Sequence, residues 1–129
     1  MSEALRSKAM VVDDSRTIRM ILAHTLTDLG YEVCQAGNGR EALDAVERER
    51  GALSLILVDW NMPEMNGLEF VKRMRADARY RSLPLVMVTT ETEIEQMMAA
   101  LDAGANEYVM KPFTPEIIAD KLRLMGVIE

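Results

Sequence analysis

The sequence predicts a doubly wound α/β domain: one five-stranded parallel sheet with helices on both faces. Three observations carry that expectation. Short apolar runs recur along the chain, and the segments between them place apolar residues at helical spacing. Strand-like and helix-like segments alternate five times. No Ser/Gly/Pro-rich linker, repeat or low-complexity tract interrupts the alternation. Apolar strands separated by amphipathic helices call for parallel pairing through right-handed crossovers. Residues 1–129 are expected to form one domain, with a core over about residues 7–127 and no output domain.

The first run, Ala9-Met10-Val11-Val12, ends at Asp13-Asp14. From Ser15 the spacing turns helical, with Ile18, Ile21, Leu22, Thr25, Leu26 and Leu29 on one stripe and Gly30 as the stop. Tyr31 to Ala36 is strand-like but carries Glu32 and Gln35, as an edge strand would. The Gly37-Asn38-Gly39 turn opens a helix with Ala42, Leu43 and Val46 inward, ending near Gly51. Leu53 to Val58 reads as a strand buried on both sides. Leu68, Val71 and Met74 mark a third helix. Pro84 opens a fourth strand, Leu85 to Val88, which ends at Thr89. Ile94, Met97, Met98 and Leu101 then repeat as an amphipathic helix closed by Gly104. Glu107 to Met110 is a fifth strand ending at Lys111-Pro112. Thr114 caps the last helix, Pro115 takes its first position, and Ile117, Ile118, Leu122 and Met125 form its inward face. The second and fifth strands are the most polar and belong at the sheet edges.

Composition narrows the function. With 129 residues, 49% of them hydrophobic and 28% charged, the chain can bury a proper core. A net charge of −6 with no basic run argues against nucleic acid, because phosphate binding is driven by Lys and Arg. No apolar stretch is long enough to span a membrane. The opening MSEALRSK has no apolar signal core, so a cytoplasmic location is expected. Cys34 is the single cysteine and reads as a small buried hydrophobe. Most of the 11 Met residues fall at core-like spacings and read as packing material.

Sheets of this kind gather ligands at the carboxyl ends of their strands. Here the first strand ends at Asp13-Asp14, the third at Asp59, the fourth at Thr89 and the fifth at Lys111. Each has a plain alternative. An Asp-Asp pair before a helix can simply cap it. Lys111 can be a surface lysine or a partner for one carboxylate, and Thr89 an ordinary strand residue. The conjunction is harder to explain by packing. Three carboxylates in one crevice repel one another, and hard oxygen ligands so gathered suit Mg²⁺.

The pieces VVDDS (11–15), VDWNMPEMNG (58–67), VTTE (88–91) and YVMKPF (108–113) together resemble the receiver domain of two-component response regulators. DWNMP leans toward the CheY-like, stand-alone chemotaxis branch. The match spans nearly the whole chain in the family's order. It implies the flavodoxin-like strand order 2-1-3-4-5.

The resemblance implies that Asp59 accepts a phosphoryl group from a histidine kinase. A carboxylate is a usable nucleophile toward phosphorus when attack is aligned and charge is neutralised. Asp13, Asp14, Asp59 and the backbone carbonyl of Asn61 would hold Mg²⁺, with Mn²⁺ as a substitute. Lys111 would pair with a phosphoryl oxygen. Thr89 would move to bond the phosphoryl group, and Tyr108 would turn inward behind it. Tyr108 has a plain reading too, as an edge-strand aromatic with a wet hydroxyl. Asn61 and Glu91 would tune hydrolysis, and Lys111-Pro112 would be a cis peptide. Thr90, where many receivers carry a smaller residue, would narrow access. Trp60 is expected to be exposed near the metal.

Such a chain is not a conventional enzyme, though it would catalyse its own phosphorylation and dephosphorylation. A monomer is expected, which switches its fourth-helix, fifth-strand and fifth-helix surface to bind a target such as a flagellar motor switch component. A phosphate sink, a phosphorelay shuttle and a non-phosphorylated adaptor are the alternatives. Glu91, Glu93 and Glu95 either suit the positive end of the fourth helix or form an acidic rim for a basic partner. A phosphohydrolase would want an acid two residues after the nucleophile, where Asn61 stands. A nucleotide or flavin binder would want a glycine-rich first turn, and residues 13–17 hold no glycine. His24 lies off the apolar stripe and reads as a surface residue.

Overall fold

The strands run in the order 2-1-3-4-5 as one parallel sheet. A computed structural model describes residues 7–49 and 51–129. The elements are β1 (Lys8–Val12), α1 (Arg16–Asp28), β2 (Glu32–Ala36), α2 (Gly39–Glu49), β3 (Leu53–Val58), α3 (Gly67–Ala76), β4 (Leu85–Thr89), α4 (Ile94–Ala103), β5 (Glu107–Met110) and α5 (Pro115–Leu124). A short 3-10 turn, Ala78–Tyr80, follows α3 and was not foreseen from the sequence. Most of the N-terminal stretch read for a signal core, residues 1–6, lies outside the described residues.

The period of two along each strand divides the core. Met10, Val12, Ile56, Val58 and Met87 point to one face, where α2, α3 and α4 bring Ala42, Val46, Phe70, Val71, Met74 and Ala100. Ala9, Val11, Leu55, Leu57, Val86 and Val88 point to the other, covered by Leu22 and Leu26 of α1 and Ile118 and Leu122 of α5. Because both faces are covered, β1, β3 and β4 read as near-continuous apolar runs. The more polar β2 and β5 take the edges.

The chain winds outward from β1 to β2 and then returns to place β3 on the other side of β1. That reversal opens a crevice between the carboxyl ends of β1 and β3. The backbone fixes its walls: the Asp59 N–H donates to the Val12 carbonyl at 2.9 Å, and the Asp13 N–H to the Ala36 carbonyl at 3.1 Å.

Local signals set the helix starts. Ser15 caps α1 by accepting from the Ile18 N–H, and Thr114 caps α5 by accepting from the Ile117 N–H. At α3, Asn66 and Glu69 form a reciprocal capping box.

The helix faces need three corrections. On α4 only Ala100 is buried and Met97 packs half-buried, while Ile94, Met98 and Leu101 are 72%, 57% and 44% exposed. The sheet is approached along the line of Met97, Ala100 and Ala103, where short side chains let the helix lie close. The larger apolar residues of the repeat are therefore turned to solvent. Ile21 on α1 and Ile117 on α5 are likewise exposed, at the outer margin of their stripes. Among the methionines, Met20, Met98 and Met110 are exposed rather than packed. Cys34 is half-buried on β2, and burial raises its thiol pKa, which keeps it in the unreactive form.

Candidate functional site

Asp13, where β1 ends, is 1% exposed and Asp59, where β3 ends, is 6% exposed. Both would be costly unpaired. Asp13 accepts from the Ser15 N–H at 2.9 Å through one oxygen and from Lys111 Nζ at 2.8 Å through the other. Asp59 accepts from the Trp60 N–H at 2.8 Å, and its second oxygen stands 3.5 Å from Lys111 Nζ. Asp14 is exposed at the mouth. One oxygen from each of Asp13, Asp14 and Asp59 lies within 4.8 Å of the others.

The chain positions these groups by backbone pairing. The Lys111 N–H donates to the Thr89 carbonyl at 2.8 Å, so Lys111 leaves the sheet beside Thr89. The Lys111-Pro112 peptide is cis. Thr89 is fully buried, and its hydroxyl accepts from the Glu91 N–H at 3.3 Å. On the other side Gly67, the first residue of α3, packs directly on the Asp59 carbonyl. A Cβ there would overlap that oxygen, so the turn closes only around glycine. The Gly67 N–H in turn donates to the Trp60 carbonyl at 2.9 Å.

Burial pushes the Asp59 carboxyl above its ordinary range and Asp13 adds repulsion. Lys111 and hydrogen bonds from Thr89 and the Trp60 N–H pull the other way. Three carboxylates facing one ammonium leave an excess of negative charge. The donor set is all hard oxygen. Oxygens gathered within 4.8 Å of one another are the donor type that Mg²⁺ takes, and a small octahedral ion with ligands at about 2.1 Å would draw them slightly closer.

The rim is built from Asn61 and Glu91. The Asn61 Nδ2 donates to a Glu91 carboxylate oxygen at 2.7 Å across the mouth. Glu91 precedes α4 rather than lying in its first turn, which holds Glu95. Tyr108 is 5% exposed, and its hydroxyl donates to the Glu91 backbone carbonyl at 2.7 Å. Tyr108 therefore occupies the inward position here, and its hydroxyl is not wet. Burial, with Glu91 and Asp59 nearby, raises its pKa. Thr90 is exposed and lines a shallow apolar hollow with Ile18, Ile21, Lys111, Pro112 and Phe113.

Trp60 corrects the sequence expectation. It is half-buried and packs against the cluster containing Val58, Met65 and Phe70, because the turn at Gly67 folds the loop back onto the sheet mouth. His24 stays at the surface, 3.4 Å from Asp28 and away from the strand ends. Two contributors escaped the sequence reading. The capping box at Asn66 was legible from its Asn-x-x-Glu spacing. Arg19, which touches the Asp13 backbone, had no distinguishing signal.

Comparison with known proteins follows the same outline. The family described as response regulator receiver domain matches residues 9–123. "Chemotaxis protein CheY1" of Helicobacter pylori is 44% identical over 119 residues, covering 92% of this chain and 95% of that protein. "Chemotaxis protein CheY homolog" of Campylobacter jejuni is 47% identical over 116 residues, covering 89% and 88%. The solved structure of the chemotaxis response regulator CheY4 of Vibrio cholerae superposes with a TM-score of 0.85 at 42% identity, over 92% of this chain and 98% of that one.

Proposed function

The chain belongs to the response regulator receiver domain family, and on that premise we propose that it is a chemotaxis-type response regulator phosphorylated on Asp59. The observation that carries this reading is the position of Lys111, whose ammonium stands 2.8 Å from Asp13 and 3.5 Å from Asp59. A group entering between the two acids meets a cation at the back of the crevice and the Thr89 hydroxyl on its wall.

Receivers bind Mg²⁺ at a cluster of Asp residues, and Asp13, Asp14 and Asp59 form such a group. In our reading these three carboxylates and the Asn61 backbone carbonyl hold the ion, Mg²⁺ or Mn²⁺ in its place. When bound, the ion neutralises charge on the phosphoryl oxygens.

An Asp59 carboxylate oxygen attacks the phosphorus of the kinase phosphohistidine. The P–N bond breaks, its electron pair stays on the imidazole, and an acyl phosphate forms. Lys111 pairs with a phosphoryl oxygen. The Thr89 hydroxyl, held at the Glu91 N–H, turns to bond another. Water later attacks phosphorus, the P–O bond to Asp59 breaks with its electron pair returning to the carboxylate, and inorganic phosphate leaves with the water's oxygen and protons. The Asn61–Glu91 bond across the mouth sets how readily that water aligns, which gives these two residues their part in the lifetime.

The output is proposed at the surface of α4, β5 and α5. Exposed Ile94, Met98, Leu101, Met110 and Ile117 support it, since a run of large apolar side chains facing solvent suits a protein partner. The names of the relatives point to a chemotaxis role, and the receiver resemblance of the sequence points to a target such as a flagellar motor switch component. No helix among the described residues is long and apolar enough to cross a membrane; the cytoplasmic location we propose rests on the likeness to the chemotaxis relatives.

The test is phosphate incorporation from a small acyl-phosphate donor, with and without Mg²⁺, in the wild type and Asp59→Asn. Mg²⁺-dependent labelling of the wild type alone is expected. Equal labelling of the variant would move the acceptor elsewhere.

A further inference from the structure

Arg19 lies half-buried on α1, one turn after the acidic pair. Its Nη1 donates to the Asp13 backbone carbonyl at 2.7 Å, and its Nε donates to Gln35 Oε1 at 3.2 Å. Gln35 sits on the edge strand β2, in register with Val11 of β1. The guanidinium thus spans from the edge of the sheet to the peptide that joins Asp13 to Asp14. The remaining polar atoms of Asp13 are engaged as well. Its N–H donates to Ala36, and its two carboxylate oxygens accept from Ser15 and Lys111. Arg19 supplies the last of these restraints. The rotation of the peptide it holds decides how the Asp13 and Asp14 side chains diverge, because that one peptide carries both.

We propose that Arg19 is a positioning residue of the acid cluster: braced on Gln35, it fixes the Asp13–Asp14 peptide so that both carboxylates are gathered with Asp59 for a small dication. The proposal rests on reading Asp13, Asp14 and Asp59 as the Mg²⁺ ligands. Groups that orient metal ligands from behind are commonly worth about 10- to 100-fold in metal affinity.

A simpler role gives the opposite sign. If Arg19 were only a positive charge near the site, its removal would relieve repulsion of the cation and tighten binding. If it is a strut, its removal loosens the acidic pair and weakens binding.

The experiment is a Mg²⁺ titration of the full chain, followed by calorimetry and by Trp60 fluorescence. Arg19→Ala should bind Mg²⁺ about 10-fold more weakly. Arg19→Lys keeps the charge and one donor but loses the planar two-pronged grip, and should fall between wild type and Arg19→Ala. Saturating Mg²⁺ should restore phosphate incorporation to Arg19→Ala, which a lost nucleophile or a damaged fold would not allow. Unchanged or tighter Mg²⁺ binding in a natively folded Arg19→Ala overturns the proposal. If that variant fails to fold, Gln35→Ala decides: the exposed brace alone is removed, and affinity equal to wild type overturns it. A wild type that binds no Mg²⁺ removes the ligand reading and this proposal together. A wild type that binds, with variants that bind equally, removes only the role given to Arg19.

Discussion

Lys111 donates to Asp13 at 2.8 Å, closer than its 3.5 Å approach to Asp59. The ammonium is thus bonded to a proposed metal ligand and only near the proposed acceptor. It and a dication compete for the same acidic charge. Lys111→Met should therefore tighten Mg²⁺ binding, measured by titration, while lowering stability in metal-free buffer by about 2 kcal/mol, since a buried carboxylate loses its partner. Phosphate incorporation should fall sharply. Weaker Mg²⁺ binding in Lys111→Met would contradict the competition.

The raised pKa of Asp59 makes a stability prediction. The native state holds this proton more tightly than the unfolded chain does. The contribution is fully present below the unfolded carboxyl pKa, about 3.9, and is lost as pH rises through the higher folded value. At pH 7 the native state carries the full cost of the charge. Asp59→Asn should raise the urea midpoint at pH 7 in metal-free buffer and show a smaller gain near pH 4. A gain that grows on acidification would mean the charge is stabilising.

Gly67 has no room for a side chain against the Asp59 carbonyl. The obstructing atom is backbone in a strand-end turn and cannot yield cheaply. Gly67→Ala should cost about 1–3 kcal/mol or more by urea denaturation, in the range of overpacked sites, and should slow phosphate incorporation because Asp59 moves with its own carbonyl. A neutral Gly67→Ala would show that the turn relaxes freely.

Tyr108→Phe removes one hydrogen bond, to the Glu91 carbonyl, and leaves the ring buried. About 1 kcal/mol of stability should be lost. Amide exchange should quicken in the segment before α4. Phosphate incorporation should stay within about twofold, because the hydroxyl touches no group assigned to the transfer.

Met98 and Leu101 face solvent on α4. Met98→Glu or Leu101→Lys should change stability by no more than about 0.5 kcal/mol, as exposed substitutions do. Capture of a chemotaxis target in the presence of a beryllofluoride mimic should nevertheless be lost. Retained capture would send the search for the output surface elsewhere.

The strands and the acid cluster were legible in the sequence because both rest on strong, short-range signals. Leu53 to Val58 is apolar at every position but Ser54, and its end at Asp59 places the acid without further information. Thr114-Pro115 announces the start of α5. The faces of α4 were not legible in the same way. Ile94, Met97, Met98 and Leu101 make a good stripe, but close packing is decided by which small residues sit nearest the sheet, and Ala100 gives no signal in a hydrophobic repeat. Trp60 was misplaced because its burial depends on a loop folded back by Gly67. Arg19 was invisible because its partners are a backbone carbonyl and a neutral amide on another element, neither of which a charge or spacing pattern reveals.

Thr89, Tyr108 and Lys111 all stand on or just after two neighbouring strands tied by a parallel ladder. Under the proposed switch, a ladder that keeps its register leaves the signal to side-chain torsions and to the few residues between Thr89 and α4. The stroke of that proposed switch would then be bounded by the length of one short loop, residues 90–93.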